Sequence, residues 1–192
     1  MRNTFTTGLM SSGKSKVLIE NYNRGIDQSK AKCSLSISID QLTGYTGKIE
    51  SRNGDSIESI ILNMDDYSSN LKLILDLIKR KHKVIFIDEV QFMNKEFVHI
   101  LLKLSMNYNV EFRFYGLLTT FTGSYFESSK FLMENINEKD IQILEMICQH
   151  ENCNMTATNN ARIINDQIVR DGETFVEQKS KYMSLCKKHY FS

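Results

Sequence analysis

The sequence has 192 residues, of which 41% are hydrophobic and 24% are charged, a balance typical of a globular protein with a substantial core. Its formal net charge of +1 differs from the strongly basic character of proteins that bind duplex nucleic acid. No apolar run approaches the ~18 residues of a membrane-spanning helix, and the first residues are too polar for a signal peptide. We therefore expect a cytoplasmic protein with neither a nucleic-acid partner nor a membrane partner.

The first two predicted elements are a strand over residues 2–7 and a helix from Lys14 to about Arg24. The segment between them follows the pattern G-x-x-x-x-G-K-S of a phosphate-binding loop. Its residues are Gly8, Leu9, Met10, Ser11, Ser12, Gly13, Lys14 and Ser15. In such a loop the backbone N–H groups point at phosphate oxygens, the lysine reaches the β- and γ-phosphates, and the serine hydroxyl binds Mg²⁺. The alternative is an ordinary glycine-rich turn, which the flanking strand and helix disfavour.

The next segment combines an alternating strand with a polar stretch. Residues 32–39 place serines on one face and leucine or isoleucine on the other, which predicts a half-buried strand. Residues 41–56 are polar and contain Gly44, Gly47 and Gly54, which predicts a loop.

The remaining elements alternate between strands and helices. Strands are predicted at 60–62, 83–88 and 110–115, and a further apolar segment at 141–147 leads to Cys148. Helical spacing of apolar residues appears at 71, 74, 75 and 78 and again at 97, 100, 101 and 104, and another helix is predicted at 127–134. Strands that alternate with helices predict a parallel sheet covered on both faces.

The second motif is a pair of carboxylates, Asp88 and Glu89, which directly follow the apolar run at 84–87. The carboxyl end of a parallel strand beside a phosphate loop is where nucleoside-triphosphate enzymes hold Mg²⁺. Asp88 is therefore a candidate to bind the metal, through a water molecule, and Glu89 is a candidate general base for an acceptor hydroxyl. A solvated acidic pair at the end of a strand is the alternative.

Three of the four cysteines lie in the C-terminal quarter. Cys148 and Cys153 form one pair, and Cys186 and His189 form a second, so four sulfur and nitrogen ligands are available for a closed tetrahedral zinc site. His150 is an alternative to Cys148 as a ligand, and unrelated thiols remain an alternative to a site. Cys33 is predicted to be a buried small apolar residue rather than a reactive thiol.

The order of these motifs resembles that of the type II thymidine kinases, the cellular and poxvirus type. That family carries G-P-M-F-S-G-K-S, then D-E-A-Q-F, then G-L-D-x-x-F-x-x-x-x-F, and ends with Y-x-x-x-C-R-x-H. The counterparts here are Gly8 to Ser15, Asp88-Glu89-Val90-Gln91-Phe92, Gly116 to Phe126, and Tyr182 to His189. The resemblance covers nearly the whole chain.

The resemblance implies a RecA-like α/β fold, a P-loop parallel sheet with helices on both faces, plus a small C-terminal zinc-ribbon lasso domain. Residues 1–145 would form the kinase domain, and residues 146–192 would form the lasso domain that closes over the nucleoside. The implied activity is transfer of the γ-phosphate of ATP to the 5′-hydroxyl of thymidine, which yields dTMP for DNA synthesis. The implied cofactors are Mg²⁺ and a structural Zn²⁺, and the implied assembly is a homotetramer.

The resemblance also assigns roles to individual residues. Glu89 matches the proton acceptor, and Lys14, Ser15, Asp88 and Gln91 match positions on the ATP side, with Ser15 and Asp88 at the magnesium. The positions that match the thymidine site are Met10, Phe92, Leu117, Phe121, Phe126, Phe175, Val176, Glu177 and Tyr182.

The sequence departs from the family pattern at several positions around the nucleoside. Leu42 replaces an arginine of an Asp-x-Arg motif that begins at Asp40, and Arg52 is a candidate substitute. Leu118 replaces an aspartate, and Glu177 stands where the lasso has glycine. We therefore expect a weaker preference for thymidine over deoxyuridine than the family pattern implies.

Two other functions are compatible with parts of the sequence. One is a RecA-type P-loop ATPase, which the short and nearly neutral chain disfavours. The other is a zinc-ribbon nucleic-acid-binding module with an inactive nucleotide domain, which the intact phosphate loop and Glu89 disfavour.

Overall fold

The computed structural model describes residues 2–24, 31–38, 47–172 and 180–192. The strands are β1 (Thr4–Gly8), β2 (Ala31–Ser38), β3 (Lys48–Glu50), β4 (Ser56–Glu58), β5 (Ile60–Asn63), β6 (His82–Ile87), β7 (Glu111–Leu117), β8 (Ile141–Leu144), β9 (Asn159–Ile164), β10 (Gln167–Val169) and β11 (Lys181–Leu185). The helices are α1 (Lys14–Asn23), α2 (Tyr67–Lys79), α3 (Lys95–Tyr108), α4 (Glu127–Asn135) and α5 (Lys187–Phe191). Short 3-10 turns cover Val90–Phe92 and Glu138–Asp140.

Six strands form one parallel sheet in the order β5-β2-β6-β7-β1-β8. Parallel strands end at the same edge, so the residues after β1, β6 and β7 come together there. Strand β7 lies between β1 and β6, and the segments that follow these three strands are the phosphate loop, the Asp88-Glu89 pair and the Gly116–Phe126 segment. The topology thus gathers three sequence motifs at one edge.

Both faces of the sheet are covered. One face packs against α2, α3 and α4 through a large apolar cluster that includes Ile74, Leu101 and Leu132. The other face packs against α1 and the β3–β4 hairpin through a smaller cluster that includes Leu18 and Ile49. The prediction of a parallel α/β sheet with helices on both faces is confirmed.

The prediction of a loop at 41–56 is wrong for part of that range. Residues 48–50 pair antiparallel with residues 56–58, and the hairpin is anchored by Ile49 and Ile57, which are 1% and 7% exposed. Gly54 has a φ of 90°, a value that glycine adopts without strain, and it lies within the turn that joins the two strands. Residues 39–46 lie outside the described residues, and so do Asp40 and Leu42.

The prediction that β2 is half-buried is also wrong. Ser34 and Ser36 are buried as fully as Leu35, because the hairpin covers the serine face. Their hydroxyls are satisfied there: Ser34 Oγ donates to the carbonyl of Glu58 at 2.5 Å, and the Ser36 and Ser59 hydroxyls lie 2.6 Å apart. Cys33 is buried as predicted, and burial raises the pKa of its thiol.

The predicted helices are present, but the buried face of α3 differs slightly from the prediction. Helix α2 buries Ile74 and Ile78, as the apolar spacing predicted. On α3 the predicted contact residue Ile100 is 38% exposed, whereas Val98 is fully buried. The buried stripe therefore runs through Phe97, Val98 and Leu101, and Ile100 lies at its margin.

The C-terminal segment forms a separate small antiparallel sheet in the order β10-β9-β11, followed by α5. Its apolar cluster is small: Cys148, Ala161, Leu185, Cys186 and Tyr190 are its buried members. Within the described ranges, no helix has the length and apolar character needed to cross a bilayer.

Candidate active site and metal cluster

The phosphate loop connects the end of β1 to the start of α1. Gly13 precedes the helix with a φ of 88°, and Ser11 has a φ of 67°, which is uncommon for a residue with a side chain. Gly8 cannot be replaced without a shift, because an added Cβ would lie 2.5 Å from Ser12 Oγ and 2.7 Å from the carbonyl of Leu144. The loop is therefore tightly packed at its base and follows an unusual backbone path at its tip.

Lys14 is buried at the N-terminus of α1, where its Nζ donates to the carbonyl of Leu9 at 2.8 Å. Burial lowers the pKa of Lys14; the carboxylates of Glu89 and Asp88 raise it, and the positive charge of Arg52 adds to the lowering. The ammonium thus lies across the loop, within electrostatic reach of the two acidic residues and of Arg52.

Asp88 links the end of β6 to the phosphate loop. Ser15 Oγ donates to Asp88 Oδ2 at 3.1 Å, so the two residues predicted to bind magnesium lie together. Burial, followed by the adjacent Glu89 carboxylate, raises the pKa of Asp88 to about 7. A divalent cation beside Asp88 would favour its carboxylate form.

Glu89 has a φ of 55° and begins the 3-10 turn Val90–Phe92. Its backbone N–H donates to Asp88 Oδ1 at 3.0 Å, and its side chain accepts a hydrogen bond from Gln91 Nε2. Gln91 is buried and also accepts from the N–H of Leu117 at 2.9 Å. Gln91 therefore orients Glu89 while being held itself by Leu117 of β7, and it is not among the residues that line the phosphate cavity.

One cavity of about 380 Å³ joins the predicted phosphate site to Glu89. Its lining residues are Met10, Ser11, Gly13, Lys14, Ser15, Lys16, Glu50, Ser51, Arg52, Asn53, Glu89 and Leu117. The β3–β4 hairpin supplies four of these residues, 50–53, from the last residue of β3 and the turn that follows, and sequence reasoning named only Arg52 among them. Isoleucines that flank a glycine-containing turn, at 49 and 57, are the sequence signal for this hairpin.

The predicted thymidine residues fall into four groups. Met10 and Leu117 line the cavity with Glu89. Phe92, the last residue of the turn after Glu89, and Phe126, just before α4, form an edge-to-face pair with ring centroids 5.9 Å apart. Phe121 is 3% exposed under the guanidinium of Arg162, which lies 5.3 Å from its ring centroid.

The last group belongs to the C-terminal lobe. Tyr182 is half-buried on β11, opposite Arg162 on β9. Phe175, Val176 and Glu177 lie outside the described residues.

The four predicted zinc ligands converge on one point. The Sγ atoms of Cys148, Cys153 and Cys186 and a ring nitrogen of His189 all lie within 4.8 Å of one another. Cys153 Sγ and Cys186 Sγ are 3.9 Å apart, and His189 Nδ1 lies 3.5 Å from Cys148 Sγ and 3.4 Å from Cys186 Sγ. A tetrahedral Zn²⁺ with ordinary bond lengths places its sulfurs ~3.8 Å apart and sulfur and nitrogen ~3.5 Å apart. The residues present therefore fit zinc.

Cys148, and not His150, occupies the fourth position of this cluster. The His150 ring stacks on the His189 ring with centroids 3.8 Å apart, and its Nδ1 lies 3.1 Å from the carbonyl of Glu151. Burial opposes ionisation of the Cys148 thiol, but hydrogen bonds from the backbone of Cys186 and His150 and from the His189 side chain outweigh it and lower its pKa to about 6. A thiolate is the form that binds a metal.

Together, the parallel sheet, the phosphate loop and the adjacent carboxylates define a P-loop nucleotide-binding enzyme with a C-terminal Cys₃His lobe. The family model described as thymidine kinase matches residues 1–190. A thymidine kinase of Bacillus subtilis subsp. natto is 43% identical over 98% of this chain and 96% of its own length. A thymidine kinase of Legionella pneumophila (strain Lens) is 31% identical over 97% of this chain and 87% of its own length.

The chain belongs to the thymidine kinase family, in its type II branch, as the motif order predicted. Members of this family are ATP-dependent nucleoside kinases, so the predictions of the family and of the enzyme class are confirmed. Among solved structures, a Pif1 helicase from Candida albicans aligns over 74% of this chain and 36% of its own, with a TM-score of 0.44 and 16% identity. A structural similarity of that size does not indicate a function.

Proposed function

We propose that this protein transfers the γ-phosphate of ATP to the 5′-hydroxyl of thymidine. The observation that supports this most directly is the single cavity that Lys14, Ser15 and Glu89 line together. Glu89, which we propose as the base, therefore lies next to the loop that would hold the triphosphate. Phosphoryl transfer needs both groups in one site, because the acceptor loses a proton as the phosphoryl group arrives.

In this proposal the residues in and beside the cavity have separate roles. The N–H groups of the loop and Lys14 Nζ hold the β- and γ-phosphates, and Ser15 and Asp88 hold the Mg²⁺, which neutralises the charge of the phosphates. Glu89 accepts the proton of the 5′-hydroxyl, with its carboxylate oriented by Gln91. Met10 and Leu117 provide apolar contacts on the nucleoside side of Glu89.

Incubation of the protein with [γ-³²P]ATP and single nucleosides tests the proposed reaction. Thymidine should be the best substrate by kcat/KM among thymidine, deoxyuridine, deoxycytidine and deoxyguanosine. A purine deoxynucleoside as the best substrate would contradict the proposed specificity. ATP hydrolysis without nucleoside phosphorylation would instead favour a RecA-type ATPase.

Phe121 is proposed to form an apolar wall of the nucleoside site. Aromatic stacking on a base contributes ~1–3 kcal/mol. Phe121→Ala is therefore expected to raise the KM for thymidine by about tenfold or more while leaving the KM for ATP unchanged. Tyr125→Ala is a suitable control, because Tyr125 lies on the same segment and is 58% exposed. Equal thymidine KM values for the two variants would show that Phe121 only fills the core.

We also propose that the Cys₃His cluster holds one structural Zn²⁺ per chain. Zinc would tie the segment that carries Cys148 and Cys153 to the end of β11 and to α5, in a lobe with few buried apolar residues of its own. Metal analysis of protein prepared without chelators should find about one zinc per chain, and Cys148→Ser should lower that content. His150→Ala should leave zinc in place, and the reverse pattern would identify His150 as the ligand.

Arg52 is proposed to contact the γ-phosphate and to replace the arginine that the family pattern has at position 42. It lines the phosphate cavity from the hairpin turn, and its positive charge is close enough to lower the pKa of Lys14. A charge-assisted hydrogen bond contributes about 1.5–3 kcal/mol, so Arg52→Gln should lower kcat/KM for ATP by roughly 10- to 100-fold. Lys48→Gln removes the same charge from the same hairpin outside the cavity, where Lys48 pairs with Glu58. Similar kinetics for both variants would rule out the phosphate contact.

Three broader assignments complete the proposal. Residues 1–145 would form the kinase domain, with β8 as its last strand, and residues 146–192 would form the lobe that closes over the nucleoside. Because family membership implies it, we propose a homotetramer, which size-exclusion chromatography with light scattering would test. Supply of ATP and use of dTMP for DNA synthesis are consistent with a cytoplasmic location.

A further inference from the structure

Two buried polar side chains of the C-terminal lobe hold the main chain of the phosphate loop at Met10. Asn160 Oδ1 accepts a hydrogen bond from the Met10 N–H at 2.8 Å, and Ser184 Oγ donates to the Met10 carbonyl at 2.7 Å. Asn160 is 2% exposed, and Ser184 is fully buried. The amide and the carbonyl of one loop residue are thus both bound by the lobe.

These two side chains are themselves fixed in place. Asn160 on β9 and Ser184 on β11 lie directly opposite each other in the antiparallel register. Asn160 Nδ2 also donates to the carbonyl of Thr119 at 2.9 Å, so Asn160 connects the lobe to the segment after β7 as well. The backbone N–H of Ser184 donates to Gln149 Oε1 at 2.7 Å. The pair therefore acts as a rigid support for the loop.

The backbone of the phosphate loop adopts an uncommon conformation next to Met10. Ser11, the residue after Met10, has a φ of 67° in the left-handed region. Backbone conformations of this kind persist where the surrounding structure determines them, and they cluster at ligand sites. The Met10 hydrogen bonds lie directly beside this residue, where they restrict the rotation of the adjoining peptide groups.

We propose that Asn160 and Ser184 are positioning residues for ATP: they keep the phosphate loop in its anion-binding shape without touching the nucleotide. Donors that are already oriented bind an anion without the cost of reorganisation, so losing either support should weaken ATP binding. The proposal rests on the proposed function, because that function assigns the loop to ATP. It gives the C-terminal lobe an indirect role in ATP binding, in addition to its proposed role at the nucleoside.

The test compares Asn160→Ala and Ser184→Ala with the wild type and with the control Asn159→Ala. Asn159 is the neighbour of Asn160 on β9, and its side chain accepts from Thr158 Oγ1. Calorimetry with Mg²⁺ and ATP gives the affinity, steady-state kinetics give KM for ATP and kcat, and metal analysis gives the zinc content. Each of the two variants should bind ATP about tenfold more weakly, because one buried hydrogen-bonding group of Met10 loses its partner. Their kcat at saturating ATP and their zinc content should match the wild type, as should every value for Asn159→Ala.

Three results would overturn the inference. The first is an unchanged ATP affinity in both variants, and the second is an equal loss in Asn159→Ala. The third is a loss of zinc or of the folded state in the variants, which would show that the two side chains serve the lobe itself. A wild-type chain that binds no ATP would refute the proposed function, and the inference with it; wild-type binding with normal variants would refute only the inference.

Discussion

Lys14→Ala is expected to weaken ATP binding by roughly 100-fold and to abolish thymidine phosphorylation. The ammonium of Lys14 lies at the start of α1, where the loop would bring it to the β- and γ-phosphates. Each charge-assisted hydrogen bond contributes about 1.5–3 kcal/mol, and the side chain would make contacts to two phosphates. The variant also loses the positive charge that would neutralise the transferring group.

Calorimetry with Mg²⁺ and ATP measures this change, and Lys16→Ala is its matched control. Lys16 lies two residues further along α1 at the edge of the same cavity, is half exposed, and pairs with Glu20, so its replacement removes the same charge at a different position. An equal loss of ATP affinity in both variants would show that net charge, and not the position of Lys14, determines binding. Unchanged affinity in Lys14→Ala would refute the assignment of the loop.

The parts of the site that the sequence predicted are those encoded by short local patterns. The loop from Gly8 to Ser15 and the Asp88-Glu89 pair each occupy a few consecutive residues, and β1 and β6 bring them to one edge of the sheet. The ligand cluster was predicted from two cysteine- or histidine-containing pairs because metal ligands occur at limited spacings. In each case the chemistry determines the residue types and their separation.

The parts that the sequence did not predict depend on contacts between distant segments. The β3–β4 hairpin has two strands of three residues, too short to show an alternating pattern, yet its packing buries Ser34 and Ser36 and carries Arg52 to the cavity. The contacts of Met10 with Asn160 and Ser184 join residues 150 and 174 positions apart. A buried asparagine or serine carries no periodic signal, because its position follows from its hydrogen bonds and not from hydrophobicity.

Glu89→Gln is expected to lower the rate of phosphoryl transfer by 10²- to 10⁴-fold, the range typical for loss of a general base. This corresponds to about 3–5.5 kcal/mol in the activation barrier. The carboxylate is suited to the role because it is half-buried, lines the cavity beside the phosphate loop, and is oriented by Gln91. Glutamine has nearly the same shape, so ATP and thymidine should still bind.

Three measurements separate this expectation from a general loss of structure: calorimetry for ATP, the KM for thymidine, and kcat. Glu50→Gln is the matched control, since Glu50 lines the same cavity from the hairpin and undergoes the same chemical change. Its kcat should stay close to that of the wild type, whereas Glu89→Gln should lose kcat with little change in ATP affinity. Near-wild-type turnover in Glu89→Gln at pH 7 would mean that another group accepts the proton. Asp88 would be the first to examine, because its carboxyl accepts from the Glu89 N–H and its pKa is raised to about 7 by burial and by the adjacent Glu89 carboxylate.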